Sequence, residues 1–154
     1  MFGALIGGFS VWYAQRTEQY QAATGVGRAL VVEMLNNSHA LRAFAMTSAN
    51  NLGSVPGSGI FPKLSRSVFD QHLSALAYLL KFDDLRRVTL PYTGAGYGTY
   101  LMLEAVILAK PQPLDTKSLK TISDIGLMFL DALDVLKPFV LTKKECKKFE
   151  NECI

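Results

Sequence analysis

Histidine and cysteine are scarce in this chain, and their scarcity limits its chemistry. The two histidines, His39 and His72, and the two cysteines, Cys146 and Cys153, form no group with the spacing of zinc ligands. We therefore expect neither a metal nor another cofactor. In a helical tail the cysteines would lie about 10 Å apart along the axis, too far for a disulfide. Free thiols are typical of a reducing compartment.

Charge is also low. Asp, Glu, Lys and Arg make up 19% of the residues, below the ~25% of soluble domains, whereas apolar residues reach 49%. The basic surplus is small (16 against 13) and is spread over 154 residues, a length that suits one domain. Because basic residues are not interleaved with aromatic ones, we expect no nucleic-acid partner. The apolar excess favours a membrane segment or a sticky interface, and the surplus permits an anionic membrane surface.

Catalytic motifs are missing as well. The serines lack a nucleophile elbow. The glycine-rich run 93–99 lacks both the lysine of a P-loop and the third glycine of a dinucleotide fingerprint. Asp83 and Asp84 are explained better as helix caps than as a general acid and base. We therefore expect no enzyme, with ligand binding at 93–99 kept as an alternative. The run supplies small residues for a kink or for close helix packing: Gly94, Gly96 and Gly98.

A long uncharged run opens the chain. Residues 1–14 carry no charged side chain, Trp12 and Tyr13 close the run, and Arg16 follows, which is the usual order at a membrane boundary. As a helix the run spans about 21 Å, against about 30 Å of hydrocarbon. A truncated start, a tilted arrangement and a segment that is not transmembrane all remain open. We predict an anchor or partner-contact helix over 1–16, with these contact residues: Phe2, Leu5, Ile6, Phe9, Trp12, Tyr13 and Arg16.

The first cations, Arg16 and Arg28, follow the apolar run. This order predicts a single-pass protein of the cell membrane whose body faces the cytoplasm. A cleaved signal peptide fits poorly, because no Lys or Arg precedes the run. Alternatively, the run packs on partner helices within a larger complex, since Gly3 and Gly7 form a G-x-x-x-G pair. The expected partners are therefore membrane lipid and a protein, either another chain or a second copy.

Residues 17–48 carry a helical pattern that could continue from the anchor. Its apolar and small stripe comprises Tyr20, Ala23, Gly27, Leu30, Met34, Leu41 and Ala45. The residues that fall mainly off this stripe are Glu18, Arg28, Glu33, Asn37 and Arg42. We expect the body, 17–154, to be one helical domain with loops near 50–64 and 110–117, where Gly and Pro cluster.

Further helices follow the first loop. Ser67 and Asp70 form an imperfect capping box for a helix reaching about Leu80, and Asp83 or Asp84 caps the next helix, with a kink or break near 90–98. The last major helix opens at Thr116 or Ser118. Its apolar positions follow a strict three-four alternation that suits antiparallel packing: Leu119, Ile122, Gly126, Phe129, Leu133, Leu136 and Val140.

These patterns predict an all-α fold, in which an N-terminal membrane helix continues into a long helix followed by a small bundle of three to four helices. The layout resembles a loose group of uncharacterised bacterial proteins with one N-terminal membrane segment and a cytoplasmic helical domain. The resemblance covers roughly residues 1–108 and implies this architecture without a known activity. The matching residues are Ala29, Leu30, Glu33, Val68, Phe69, Asp70, Leu76, Leu79, Leu80, Asp84, Leu85, Val88 and Tyr92.

Overall fold

The computed structural model describes the backbone of residues 2–50, 61–109 and 113–153, and the side chains of 11–50, 61–109 and 113–149. Within these ranges the chain is helical and contains no strand, which confirms the all-α prediction. The α-helices are α1 (Phe2–Asn50), α2 (Ser67–Leu76), α3 (Phe82–Thr89), α4 (Thr99–Ala109), α5 (Thr116–Val140) and α6 (Lys143–Cys153).

Helix α1 is continuous over 49 residues, about 74 Å, so the segment predicted as an anchor or partner-contact helix and the first body helix form one element. Every side chain from 11 to 22 is exposed, and Ala23 is the first buried one. The helix therefore projects from the bundle by its N-terminal half. No helix in the described part of the chain is long and apolar enough to cross a membrane.

The core is built mainly between α1 and α5, which run antiparallel. Gly27 lies against Val140 at one end, while Gly126 lies against Leu41 near the other. All seven positions of the predicted α5 seam are buried, as are most of the predicted α1 stripe residues; Tyr20 is half exposed. The three-four alternation thus identified the packing face of α5 correctly, because burial of that face is what stabilises the pair.

The predicted break between α3 and α4 is present. Leu90–Tyr92 forms a 3₁₀ turn around Pro91, and Gly94–Gly98 forms a π-helical turn that leads into α4. On α4, the ring of Tyr100 stacks on Phe61 at 5.3 Å, and its hydroxyl donates to the carbonyl of Pro62. The break therefore turns α4 back onto the segment that precedes α2.

The predicted helix starts are only partly correct. Arg66 and Lys81 occupy the N-cap positions of α2 and α3, and neither makes a side-chain capping bond. Asp83 and Asp84 lie one and two residues inside α3, where a carboxylate complements the helix dipole without capping it. Helix α2 ends at Leu76, earlier than expected.

The α5 start agrees with the sequence, since the helix begins at Thr116. Its N-cap is Asp115, whose carboxylate accepts the Ser118 amide at 2.8 Å. Hydrogen bonding from the Ser118 side chain, and then from this amide, lowers the pKa of Asp115. Residues 51–60, most of the first predicted loop, and 110–112 of the second lie outside the described residues.

Two glycines on α1, two residues apart, give a matched test of the α1–α5 contact. A Cβ at Gly25 meets open space, whereas a Cβ at Gly27 would lie 2.3 Å from Cγ1 of Val140. We expect Gly25→Ala to raise the free energy of unfolding by about 0.5–1 kcal/mol through helix propensity. Gly27→Ala should lower it by about 1–2 kcal/mol through overpacking. Urea unfolding followed by circular dichroism measures both, and an equal gain in both variants would contradict the packing.

Candidate functional site

A buried carboxylate on α1 is the most heavily hydrogen-bonded group described in the chain. Glu33 is 5% exposed. Its Oε2 accepts the Ser65 hydroxyl at 2.8 Å, the Ser67 hydroxyl at 3.3 Å and the Val68 amide at 3.0 Å. Its Oε1 accepts the Tyr92 hydroxyl at 2.9 Å and the Phe69 amide at 3.4 Å. The carboxylate thus joins α1, the start of α2 and the turn after α3.

Asn37, one helical turn further along α1, fixes the same segment. Its Nδ2 donates to the carbonyl of Ser65 at 2.8 Å, and its Oδ1 accepts the Ser65 amide at 2.9 Å. Both backbone groups of Ser65 are therefore satisfied by one side chain. Together, Glu33 and Asn37 hold the chain just before α2 in a single position, and we call this cluster with Ser65, Ser67 and Tyr92 the Glu33 cluster.

Aromatic rings cover the Glu33 cluster. Phe69 stacks on Tyr92 with ring centroids 4.1 Å apart, and Tyr92 meets the edge of Phe129 on α5 at 5.2 Å. The guanidinium of Arg66 lies over Phe69 at 5.7 Å and over Tyr97 at 4.6 Å. The rings exclude water from the carboxylate, which strengthens its hydrogen bonds.

The chemistry of this arrangement is that of a helix cap supplied from another helix. The amides of Val68 and Phe69 are among the first-turn donors of α2, which lack partners within their own helix. A carboxylate next to them satisfies those donors and complements the helix dipole. Burial, followed by the adjacent Glu33, raises the pKa of Tyr92 well above its ordinary value, so the phenol remains a donor to the carboxylate.

Sequence reasoning missed this cluster. Glu33 and Asn37 were placed mainly off the apolar stripe, yet both are buried, because their partners come from residues about thirty positions further along the chain. Ser67 was assigned as a local cap but donates to Glu33 instead.

A second feature lies where α1 leaves the bundle. The turn between α2 and α3 approaches α1 there, since Leu79 is near Gly27. An open groove of about 530 Å³ lies between the turn and the projecting part of α1, lined by Tyr13, Arg16, Thr17, Tyr20, Ala77 and Tyr78. We call this region, with Trp12 and Phe82, the aromatic end.

The aromatic end exposes large rings to solvent. Tyr78 is 61% exposed and Phe82 79% exposed, and Trp12, Tyr13 and Tyr20 are each at least half exposed. Arg16 lies over the Trp12 ring at 5.3 Å. The sequence predicts contacts for Trp12, Tyr13 and Arg16 but does not connect them with Tyr78, because no local pattern brings the α2–α3 turn beside α1.

The remaining predicted contact residues lie nearer the N-terminus of the projecting helix. Phe2, Leu5, Ile6 and Phe9, with Gly3 and Gly7, belong to the helical backbone of α1, and their side chains lie outside the described residues.

The glycine run packs against its own turn. A Cβ at Gly96 would lie 2.2 Å from the carbonyl oxygen of Pro91, whereas a Cβ at Gly94 would meet open space and one at Gly98 only ordinary contact. Of the three, Gly96 is therefore the position where a side chain has no room. Gly98 closes the π turn through its amide, which donates to the carbonyl of Thr93 at 3.0 Å.

Over the described residues, no group of three or more His, Cys, Asp or Glu side chains is arranged to hold a metal ion. No protein-family model, curated protein or solved structure matches the chain.

Replacing Glu33 by Gln should destabilise the fold, because an amide nitrogen then faces donors inside a buried cluster. We expect a loss of about 2–4 kcal/mol in the free energy of unfolding. The matched control is Glu18→Gln on the exposed part of α1, expected to stay within about 0.5 kcal/mol. Urea unfolding measures both, and amide exchange at Val68 and Phe69 should accelerate only in Glu33→Gln. Equal stability of the two variants would contradict the capping role.

The raised pKa of Tyr92 also predicts a pH dependence. Because the pKa is higher in the folded chain than the 10.0 of a free tyrosine, its contribution to stability is fully present below pH 10.0 and is lost as pH rises above it. Tyr92→Phe should therefore remove up to about 1.4 kcal/mol per pH unit from the alkaline slope. Exposed Tyr20→Phe is the control. Urea unfolding on both sides of pH 10.0 measures the slopes, and an unchanged slope in Tyr92→Phe would contradict the assignment.

Proposed function

We propose that this chain is a helical interaction or assembly protein that attaches to the cytoplasmic face of a membrane through the N-terminal end of α1. The observation that carries the proposal is the exposed stretch of α1 that precedes its buried part. Residues 11–22 are exposed throughout, while the helical backbone of the apolar residues 2–9 lies beyond them, at the end of α1 furthest from the bundle. A helix that extends an apolar tip away from its own core presents that tip to something else.

The order of residues along the projecting helix supports lipid as the first partner. Trp12 and Tyr13 follow the apolar tip and Arg16 follows them, so apolar, aromatic and cationic side chains succeed one another towards the bundle. Aromatic rings favour the headgroup level of a bilayer, and an arginine just beyond them extends to the headgroups. In this arrangement residues 1–11 enter the hydrocarbon.

The bundle would then lie close to the surface. From Trp12 to Ala23, the first buried residue, α1 rises about 16 Å. Tyr78 bridges much of this interval, since it lines a second groove with Trp12, Gln15 and Arg16. The α2–α3 turn therefore faces the same headgroup region as the aromatic residues of α1.

A second candidate is a subunit whose N-terminal helix packs on helices of a partner within the membrane. Gly3 and Gly7 favour this version, because small residues four apart allow two helix backbones to approach closely. Cysteine introduced at Gly7 and treated with a crosslinker in native membranes would give a protein adduct in this case. The lipid version predicts none.

Vesicle flotation tests the attachment. The full chain is mixed with phosphatidylcholine vesicles and centrifuged through a density gradient, and the protein in the vesicle fraction is quantified. We expect the wild-type chain to float and Leu5→Glu/Phe9→Glu to stay at the bottom, because a charged side chain at the bilayer centre costs about 2.5–3.5 kcal/mol.

The matched control is Val32→Glu/Met46→Glu, which introduces the same charges at exposed apolar positions of α1 within the bundle. This control should float like the wild type. A wild-type chain left at the bottom as a monomer, or equal loss of flotation in both double variants, would contradict attachment through the tip.

A further inference from the structure

Four lysines lie along one side of helix α6. Lys143, Lys144, Lys147 and Lys148 are all exposed and, at 100° per residue, occupy an arc of about 140°. The opposite side, with Cys146 and Phe149, is half buried, and the Phe149 ring lies 5.0 Å from Nζ of Lys137 on α5. We call the four lysines the lysine face. The helix thus presents its cations outward while its apolar side rests on the bundle.

The start of α6 is fixed in place by polar contacts. Thr142 and Glu145 cap the helix reciprocally: the Thr142 amide donates to Glu145 at 2.6 Å, and the Glu145 amide donates to the Thr142 hydroxyl at 3.3 Å. Arg28 of α1 pairs with Glu145 at 3.2 Å and donates to the carbonyl of Val140 at 2.9 Å. Glu145 is therefore paired with Arg28, and the two further glutamates of α6, Glu150 and Glu152, follow the lysines along the chain.

The position of α6 relates the lysine face to the projecting helix. Val140, just before α6, packs on Gly27, and Leu79 of the α2–α3 turn lies near the same glycine. The start of α6, the aromatic end and the exit of α1 from the bundle are therefore at one end of the molecule. When α1 tilts towards α6, a surface that receives the tip of α1 also meets the lysines.

We propose that the lysine face binds the anionic headgroups of phospholipids. Opposite charge supplies the attraction: lysines near an anionic membrane surface each contribute about a fivefold gain in binding. One apolar insertion is a weak anchor, and a basic patch is the second signal that makes such an attachment stable. This inference deepens the proposed attachment through α1 and rests on it for the orientation of the bundle.

Flotation on two kinds of vesicle tests the proposal. The full chain is compared on phosphatidylcholine alone and on phosphatidylcholine with about 30% phosphatidylglycerol, at low and at high salt. We expect at least about tenfold stronger partitioning to the anionic vesicles, lost at high salt. Lys143→Gln/Lys144→Gln/Lys147→Gln should lower the anionic partitioning by about tenfold to a hundredfold and leave binding to neutral vesicles unchanged.

A charge-matched control separates this site from net charge. Lys63→Gln/Lys117→Gln/Lys120→Gln removes the same charge from exposed positions near the other end of the bundle, and we expect less than about a threefold effect. Equal losses in the two triple variants would overturn the proposal, as would the absence of any loss in the α6 variant. Circular dichroism confirms that both remain folded.

The same experiment keeps the two proposals apart. Wild-type binding to neutral vesicles reports insertion of the α1 tip, whereas the extra binding to anionic vesicles reports the lysine face. Anionic binding that depends on the α6 lysines, without any neutral binding, would overturn attachment through the tip and support the lysine face. Neutral binding with no anionic gain would do the reverse.

Discussion

The carboxylate of Glu33 is the point on which the arrangement of the helices depends. It replaces the missing local cap of α2, positions Ser65 and Ser67, and holds the Tyr92 hydroxyl, so one side chain of α1 organises the chain from 65 to 92. The contact extends to α5 through the ring of Tyr92 against Phe129. Removing one partner leaves buried donors unsatisfied, and each such group costs about 1–3 kcal/mol, a large share of the stability of a small domain.

This constraint matters for α1 as a whole. An isolated helix of about 12–15 residues is marginal in water, because nucleation is costly. The exposed stretch 11–22 makes no core of its own, but it continues a helix already nucleated between α5 and the Glu33 cluster. The part of α1 inside the bundle thus provides the helix nucleus. Extending the helix through residues 11–22 then requires propagation only, without a second nucleation. Because its C-terminal part is packed in the bundle, α1 can extend its apolar N-terminal residues away from the core.

The sequence predicted what depends on local periodicity. The α5 seam, the start of α5 at Thr116 and the break around Pro91 follow from spacing and from the conformational limits of proline and glycine, and each agrees with the structure. The burial of Glu33 and Asn37 could not be predicted from the sequence, because an amphipathic pattern assigns polar residues to solvent unless a distant partner is known. The groove beside Tyr78 was missed for a related reason: it depends on which turn packs at the exit of α1.

The α1 helix also relates the two halves of the proposed attachment. Arg28 follows Ala23, the first buried side chain of α1, by five residues and pairs with Glu145 at the start of α6. Because this pair is exposed, its own contribution to stability is small. Its effect is geometric, since it couples the direction of α1 to the position of the lysine face. With α1 upright, Arg28 and the start of α6 lie about 24 Å along the axis from Trp12, beyond the reach of lysine side chains, so contact with headgroups requires α1 to tilt towards α6. Tilt also reduces the depth to which the apolar run of about 21 Å penetrates the bilayer, which suits attachment from one face rather than a full span.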